Sequence, residues 1–395
     1  MNNSAETPLL RVPFTDLLDL ASDEVGGKVH SASDDFFAPK ENLIKESSPI
    51  FIPDQYTEVG KWMDGWESRR KRNLSPTHNH DWCVIQLGLP GIIRGINVDT
   101  AFFVGNFPEF CSLEAREEAR EETREEAREK AGAHALDGTM QKASEVGKKQ
   151  AFSSEKSWQE ILPKSKLQGG TGNLFPILSL KRWTHLRLKI YPDGGVARLR
   201  VYGDVVPDWT ALKSSKELFD FAAATNGGRV ITCSDMFFGQ KDHLIYPGTP
   251  KTMGDGWETR RRRGPGHDWT IVKLARAAKL QKLEINTHHF KGNFPESCSV
   301  EALTLPGNAS GASESEQLGH LGQPELSSAD FRDRPDLPWR EILPRTQLQA
   351  DSRRLFEKEL LKEALGQKID YLRLNIYPDG GISRLRAYGI LEELK

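Results

Sequence analysis

Two stretches of this chain carry the same four sequence blocks in the same order, and that repetition limits the fold more than any other feature. Asp64-Gly65-Trp66-Glu67-Ser68-Arg69-Arg70 returns as Asp255-Gly256-Trp257-Glu258-Thr259-Arg260-Arg261, and each copy is followed by His-Asp-Trp, at His80-Asp81-Trp82 and His267-Asp268-Trp269. Gly105-Asn106-Phe107-Pro108-Glu109 returns as Gly292-Asn293-Phe294-Pro295-Glu296. Ile190-Tyr191-Pro192-Asp193-Gly194-Gly195 returns as Ile376-Tyr377-Pro378-Asp379-Gly380-Gly381. Offsets of roughly 180 to 200 residues lie far beyond the period of about 20 to 50 expected of a solenoid, so the chain is a duplicated domain. Its 395 residues leave each copy long enough to bury its own core. The copies are expected at 14–204 and 217–391, with the segment near 205–216 as linker.

Inside each copy the apolar period is mostly two. Leu186, Leu188 and Ile190 alternate with Arg187 and Lys189, the Asp193-Gly194-Gly195 turn follows, and Leu199 and Val201 alternate with Arg198 and Arg200, a pattern that predicts a β-hairpin with one apolar face. The second copy repeats it with Leu372, Leu374, Ile376 and Leu385. Short strands between Gly, Pro and Asn turns predict an all-β fold, two tandem β-sandwich or jelly-roll domains. One helix is expected, over Arg353–Leu365, from the spacing of Leu355, Phe356, Leu360 and Leu361. Each copy has an insertion at the same place. The first, about 115–150, is an Ala-Arg-Glu-Glu tract expected to be a solvated helix or disorder, and the second, about 306–336, is rich in Gly, Ser and Pro and expected to be an exposed loop.

The formal charge of −2 sets up no global field toward nucleic acid or an anionic membrane, so neither is expected as a partner. The runs Arg69-Arg70-Lys71-Arg72 and Arg260–Arg263 stand beside acids in a strand-like context that sends alternate side chains to opposite faces. Met1–Leu10 lacks a signal-peptide pattern, no stretch reaches about 18 apolar residues, and the terminal Glu-Leu-Lys is not the usual peroxisomal address. A cytoplasmic location is expected, with a peroxisomal one left open. Cys83, Cys111, Cys233 and Cys298 show no metal or redox spacing and are expected to be buried small apolar residues.

The repeated block concentrates acids, arginines and an indole, a set suited to a small, polar, planar ligand. Arginine binds a carboxylate or urea-like oxygen through two bonds, and Asp or Glu accepts ureido N–H groups. Candidate ligand contacts are Asp255, Trp257, Arg260 and Arg261, with Asp64, Glu67, Arg69, Arg70 and His80 in the first copy. A structural turn packed on a core Trp is the alternative for the Trp and one Arg of each copy. Thr287-His288-His289-Phe290-Lys291 stands where the first copy has Thr100-Ala101-Phe102-Phe103-Val104, so the polar machinery is expected in copy two. His267, His288, His289 and Glu258 are candidate acid and base groups, with Lys291 and Asn293 as further contacts. Alternation would put His288 and His289 on opposite faces. No motif identifies a cofactor. A divalent ion held by His and carboxylates from distant segments is left open.

Together these blocks resemble the allantoicase family over nearly the whole chain outside the insertions. The resemblance implies two jelly-roll domains of the galactose-binding type, frequent homo-oligomerisation, and hydrolysis of allantoate to ureidoglycolate and urea in purine degradation. On that implication Arg260 or Arg261 would anchor the substrate carboxylate, Asp255 or Glu258 would hold a ureido arm, and His267 or one of the 288/289 pair would protonate the departing urea. The competing reading is a family member without turnover, serving as a small-ligand, carbohydrate or protein-binding module.

Overall fold

The protein is described by a computed structural model over residues 13–75, 79–118, 157–209, 218–305, 326–334, 336–360 and 366–391. In the first repeat the strands are β1 (Leu18–Asp19), β2 (Lys28–Ala32), β3 (Tyr56–Thr57), β4 (Gly60–Lys61), β5 (Trp66–Glu67), β6 (Asp81–Asp99), β7 (Phe110–Arg116), β8 (Gln159–Lys166), β9 (Gly172–Pro176), β10 (Arg182–Tyr191), β11 (Gly195–Val196) and β12 (Arg198–Val205). The second repeat holds β13 (Phe219–Asp220), β14 (Arg229–Cys233), β15 (Trp257–Glu258), β16 (Asp268–Ala278), β17 (Leu280–Asn286), β18 (Ser297–Leu303), β19 (Arg340–Gln347), β20 (Arg353–Phe356), β21 (Ile369–Tyr377), β22 (Gly381–Ile382) and β23 (Arg384–Gly389).

Both repeats are antiparallel jelly-roll β-sandwiches. In the second, a five-stranded sheet of order β14-β16-β21-β18-β19 and a four-stranded sheet of order β13-β23-β17-β20 enclose the core. The first uses one long strand, β6, in place of β16 and β17, so its strands join in the order β1-β12-β6-β10-β7-β8, with β2 and β9 also on β6. Two compact units divide the described residues, one of Gly27–Leu87 with Ile96–Arg200 and the other of the remainder. Alternation places the side chains as expected: Leu186, Leu188, Ile190, Leu372, Leu374 and Ile376 are all fully buried.

The expected hairpin is not one. Strands β21 and β23 lie in different sheets, and β10 and β12 are separated by β6, so Asp-Gly-Gly carries the chain across the sandwich instead of folding it back. The short β11 and β22 explain the crossing, because they pair with β5 and β15.

The expected helix is also corrected. Residues 353–356 form the edge strand β20, paired with β17, with Leu283 opposite Phe356 and Asn286 opposite Arg353. Phe356 turns into the core while Leu355 is 45% exposed, a strand's division of faces. Residues 361–365 lie outside the described ones, as do 119–156 of the charged insertion. The end of the polar insertion is packed rather than loose. Ser327 and Asp330 form a capping box on α1 (Ser328–Asp333), and Phe331 stacks against Trp339 and Tyr371 beside Leu326 and Leu337. Cys83, Cys111 and Cys298 are buried thiols as expected, and burial pushes the latter two up to about 12. Cys233 is less deeply placed than expected, at the end of β14.

Candidate functional site

The recurring blocks recur because they hold one another. Gly381 pairs with Glu258 across β15 and β22, and its N–H donates to the Asn293 carbonyl at 2.9 Å. Asn293 in turn donates its side-chain amide to the Glu258 carboxylate. The Gly380 position has φ +134°, and a Cβ there would lie 2.6 Å from the Asn293 carbonyl oxygen, so only glycine fits. The Asp379 carboxylate accepts from the Arg262 N–H at 2.7 Å, tying the turn to the arginine run. The first repeat reproduces every link: Gly195 to Asn106 at 2.8 Å, Asn106 to Glu67 at 2.7 Å, and Lys71 N–H to Asp193 at 2.7 Å.

Beside this knot the second repeat is polar. His288 and His289 follow β17 in a turn, and His289 adopts φ 70°, so they do not alternate as strand residues would. The correction brings them together, with ring centroids 4.2 Å apart. His288 Nδ1 lies 2.9 Å from the Asp351 carboxylate, and His289 Nε2 lies 3.0 Å from the Pro250 carbonyl. The His289 backbone N–H holds the Asp351 carboxyl below the usual carboxylate range, with the charges of His288, Lys291 and His289 adding to it. The turn that begins at Pro250 closes the group, since Met253 Sδ is 3.5 Å from the Asn293 amide nitrogen.

The first repeat has an apolar cavity in the same place. An open cleft of about 380 Å³ lies between the Glu67 and Asn106 pair and Phe37, Phe51, Met63, Phe102 and Val104, with Gly60, Lys61 and Gly105 completing the lining. Residues 51–63, which include the β3–β4 hairpin, stand where the second repeat has only 252–254; Ile50 N–H to Asp64 and Lys251 N–H to Asp255 are equivalent bonds. Burial pushes the Glu67 carboxyl above its ordinary value, against the lowering effect of the Asn106 hydrogen bond.

Several expected ligand contacts are structural instead. Trp257 and Trp66 are fully buried, and their indole N–H groups donate to the Asp235 and Asp34 carbonyls at 2.8 Å, so neither reaches a ligand. Arg260 is held by Asp235 through Nε, Nη2 and its backbone N–H, as Arg69 is held by Asp34. Asp64 forms a buried ion pair with Arg198 at 2.7 Å, which overcomes the effect of burial and keeps its carboxyl low. Asp255 keeps the fold differently, accepting from the Lys251 and Thr252 N–H groups, while Arg384, the counterpart of Arg198, donates through Nη1 to the His243, Asp255 and Ser383 carbonyls. Arg261 and Arg70 are exposed.

His267 does not join the His288 and His289 group. Its neighbours are Tyr377, at 4.6 Å between rings, and Asn375, at 3.3 Å. His80 likewise packs on Tyr191, and burial, then Lys189, Lys71 and Arg187, press its pKa down. Lys291 and Asn293 remain with Glu258, His288 and His289. Asp351, Pro250 and Met253 were missed, since none belongs to a repeated block. A signal existed for Asp351: it takes φ 46° at the turn where the first repeat has Gly170 at φ 71°. Among the described residues no group of three or more His, Cys, Asp or Glu is arranged to hold a metal ion, and no helix is long and apolar enough to cross a membrane.

Residues 18–206 and 219–392 match the family model described as the allantoicase repeat. A probable allantoicase 1 of Burkholderia mallei is 41% identical over 376 residues, covering 95% of each chain. An allantoicase of Dictyostelium discoideum is 41% identical over 379 residues, 95% of this chain and 88% of that one. The crystal structure of allantoicase from Saccharomyces cerevisiae superposes with a TM-score of 0.69 at 30% identity, covering 94% of this chain and 92% of the other.

Proposed function

The chain belongs to the allantoicase family, and from that premise we propose that it hydrolyses allantoate to (S)-ureidoglycolate and urea, with the active centre in its second repeat. One observation carries the placement. The Glu258 and Asn293 pair is joined through the turn at 250–255 to His289, His288 and Asp351, where the first repeat has Phe102, Ala101 and Gly170.

Allantoate bears a carboxylate and two ureido groups on one carbon. Lys291, next to Asp351, supplies a positive charge for the carboxylate in place of Arg260, which Asp235 already occupies. Glu258, oriented by Asn293, takes a proton from the attacking water as its oxygen bonds to the central carbon. The opposite C–N bond breaks, and His288 gives a proton to the departing nitrogen so that neutral urea leaves. Asp351, at Nδ1, stabilises the His288 imidazolium from which that proton comes. The lone pair of the remaining ureido nitrogen assists departure, so no covalent enzyme intermediate is required.

The exposed Phe237 and Phe238, each 61% exposed, support a homo-oligomer, and the free thiols support a reducing cytoplasmic setting. Urea release from allantoate by the purified chain tests the activity, run with and without a chelator to settle the metal requirement. Release of one urea per allantoate supports the reading; no release with any added divalent ion overturns it.

A further inference from the structure

We propose that the cavity of the first repeat is a separate binding site for a flat, uncharged ring that carries a cyclic amide edge. One wall is aromatic: Phe51 and Phe102 stack on each other, 21° apart with centroids at 5.6 Å, and Phe37 and Met63 also line the cavity. A volume of about 380 Å³ suits a one- or two-ring molecule. Planar faces are recognised by stacking, which fixes the ligand's shape.

The polar end of the cavity fixes its edge. Asn106 spends one N–H on Glu67 Oε1, which leaves its other N–H as a donor beside its amide oxygen as an acceptor. Among the described residues no ion pair reaches Glu67, and burial pushes its carboxyl above the ordinary value. One acceptor beside one donor matches the N–H and C=O of a cyclic amide. Lys61, the cation of the lining, is exposed and sits 4.5 Å from the Phe51 ring centroid, where it caps the aromatic wall. An anionic ligand would therefore meet the Glu67 carboxyl without a buried cation to offset it. The inference stands apart from turnover in the second repeat, where His289 and Lys291 replace Phe102 and Val104.

Ligand-observed NMR titration of the full chain with 2-pyridone and with benzoate tests it. The expected result is saturable binding of 2-pyridone, with benzoate weaker by about tenfold or more, the cost of leaving a buried polar group unmatched. Phe102→Ala, at a side chain 43% exposed, should weaken 2-pyridone by a similar factor without lowering the melting temperature. Glu67→Gln, whose amide oxygen still accepts from Asn106, should bind within about threefold of the parent, while Glu67→Leu, which leaves the Asn106 amide unheld, should not bind. Absence of 2-pyridone binding, equal binding of benzoate, or indifference to Phe102→Ala would each overturn the proposal.

Discussion

The side-chain amide of Asn293 donates a hydrogen bond to the Glu258 carboxylate, joining the third repeated block to the first. Because the Asn293 carbonyl also accepts from Gly381, the glutamate is aimed by backbone that the core holds rigid. Glu258→Gln should therefore lower kcat for allantoate by roughly 10²- to 10⁴-fold, the range for losing a general base. Asn293→Ala should cost less, about tenfold, by loosening the carboxylate. Urea release measured beside melting curves separates these effects from unfolding.

Asp351 and His288 should behave as one unit. Asp351→Asn and His288→Ala are each expected to lower kcat by about 10- to 100-fold, and the double variant should fall little further, since both remove the same proton donor. Additive losses would show that the two act separately.

Gly381 and Gly292 make a matched pair for stability. A Cβ on Gly381 would lie 1.9 Å from the Phe290 ring, whereas one on Gly292 meets nothing within 4 Å. Gly381→Ala should lose about 1–3 kcal/mol or more through overpacking, and Gly292→Ala should stay within about 0.5 kcal/mol. Denaturant titration of both variants reads the difference.

His185 should make the first repeat acid-sensitive. Burial, then Arg116 and His30, press its pKa down to about 4, while an unfolded histidine titrates near 6.5. Between those values the unfolded chain binds the extra proton, so stability falls as pH drops from about 6.5 toward 4 and levels off below. His185→Gln should flatten that part of the melting-temperature profile; an unchanged slope would remove His185 as its source.

The legible part of the site was the part that recurs. Glu258, Asn293 and Gly381 sit in repeated blocks because each holds the next, so comparing the copies found them without knowledge of the fold. The same comparison over-read Trp257 and Arg260, which recur for packing and for the Asp235 ion pair, since repetition marks structural and functional needs alike. A period of two identified β10, β12, β21 and β23 as strands but carried no information on partners, and so a crossover was read as a hairpin. Asp351 was hidden because its role arises from a left-handed turn that brings it to His288, sixty-odd residues away in sequence.

If the second repeat performs the chemistry, giving it the first repeat's residues should abolish turnover. Urea release from allantoate should be measured for the parent chain and for the His288→Ala, Lys291→Val double variant. The parent should turn over, and the variant should melt at about the same temperature while losing roughly 100-fold or more in kcat/KM, as expected when substrate-anchoring and acid groups are removed together. Turnover by the variant equal to that of the parent would contradict it.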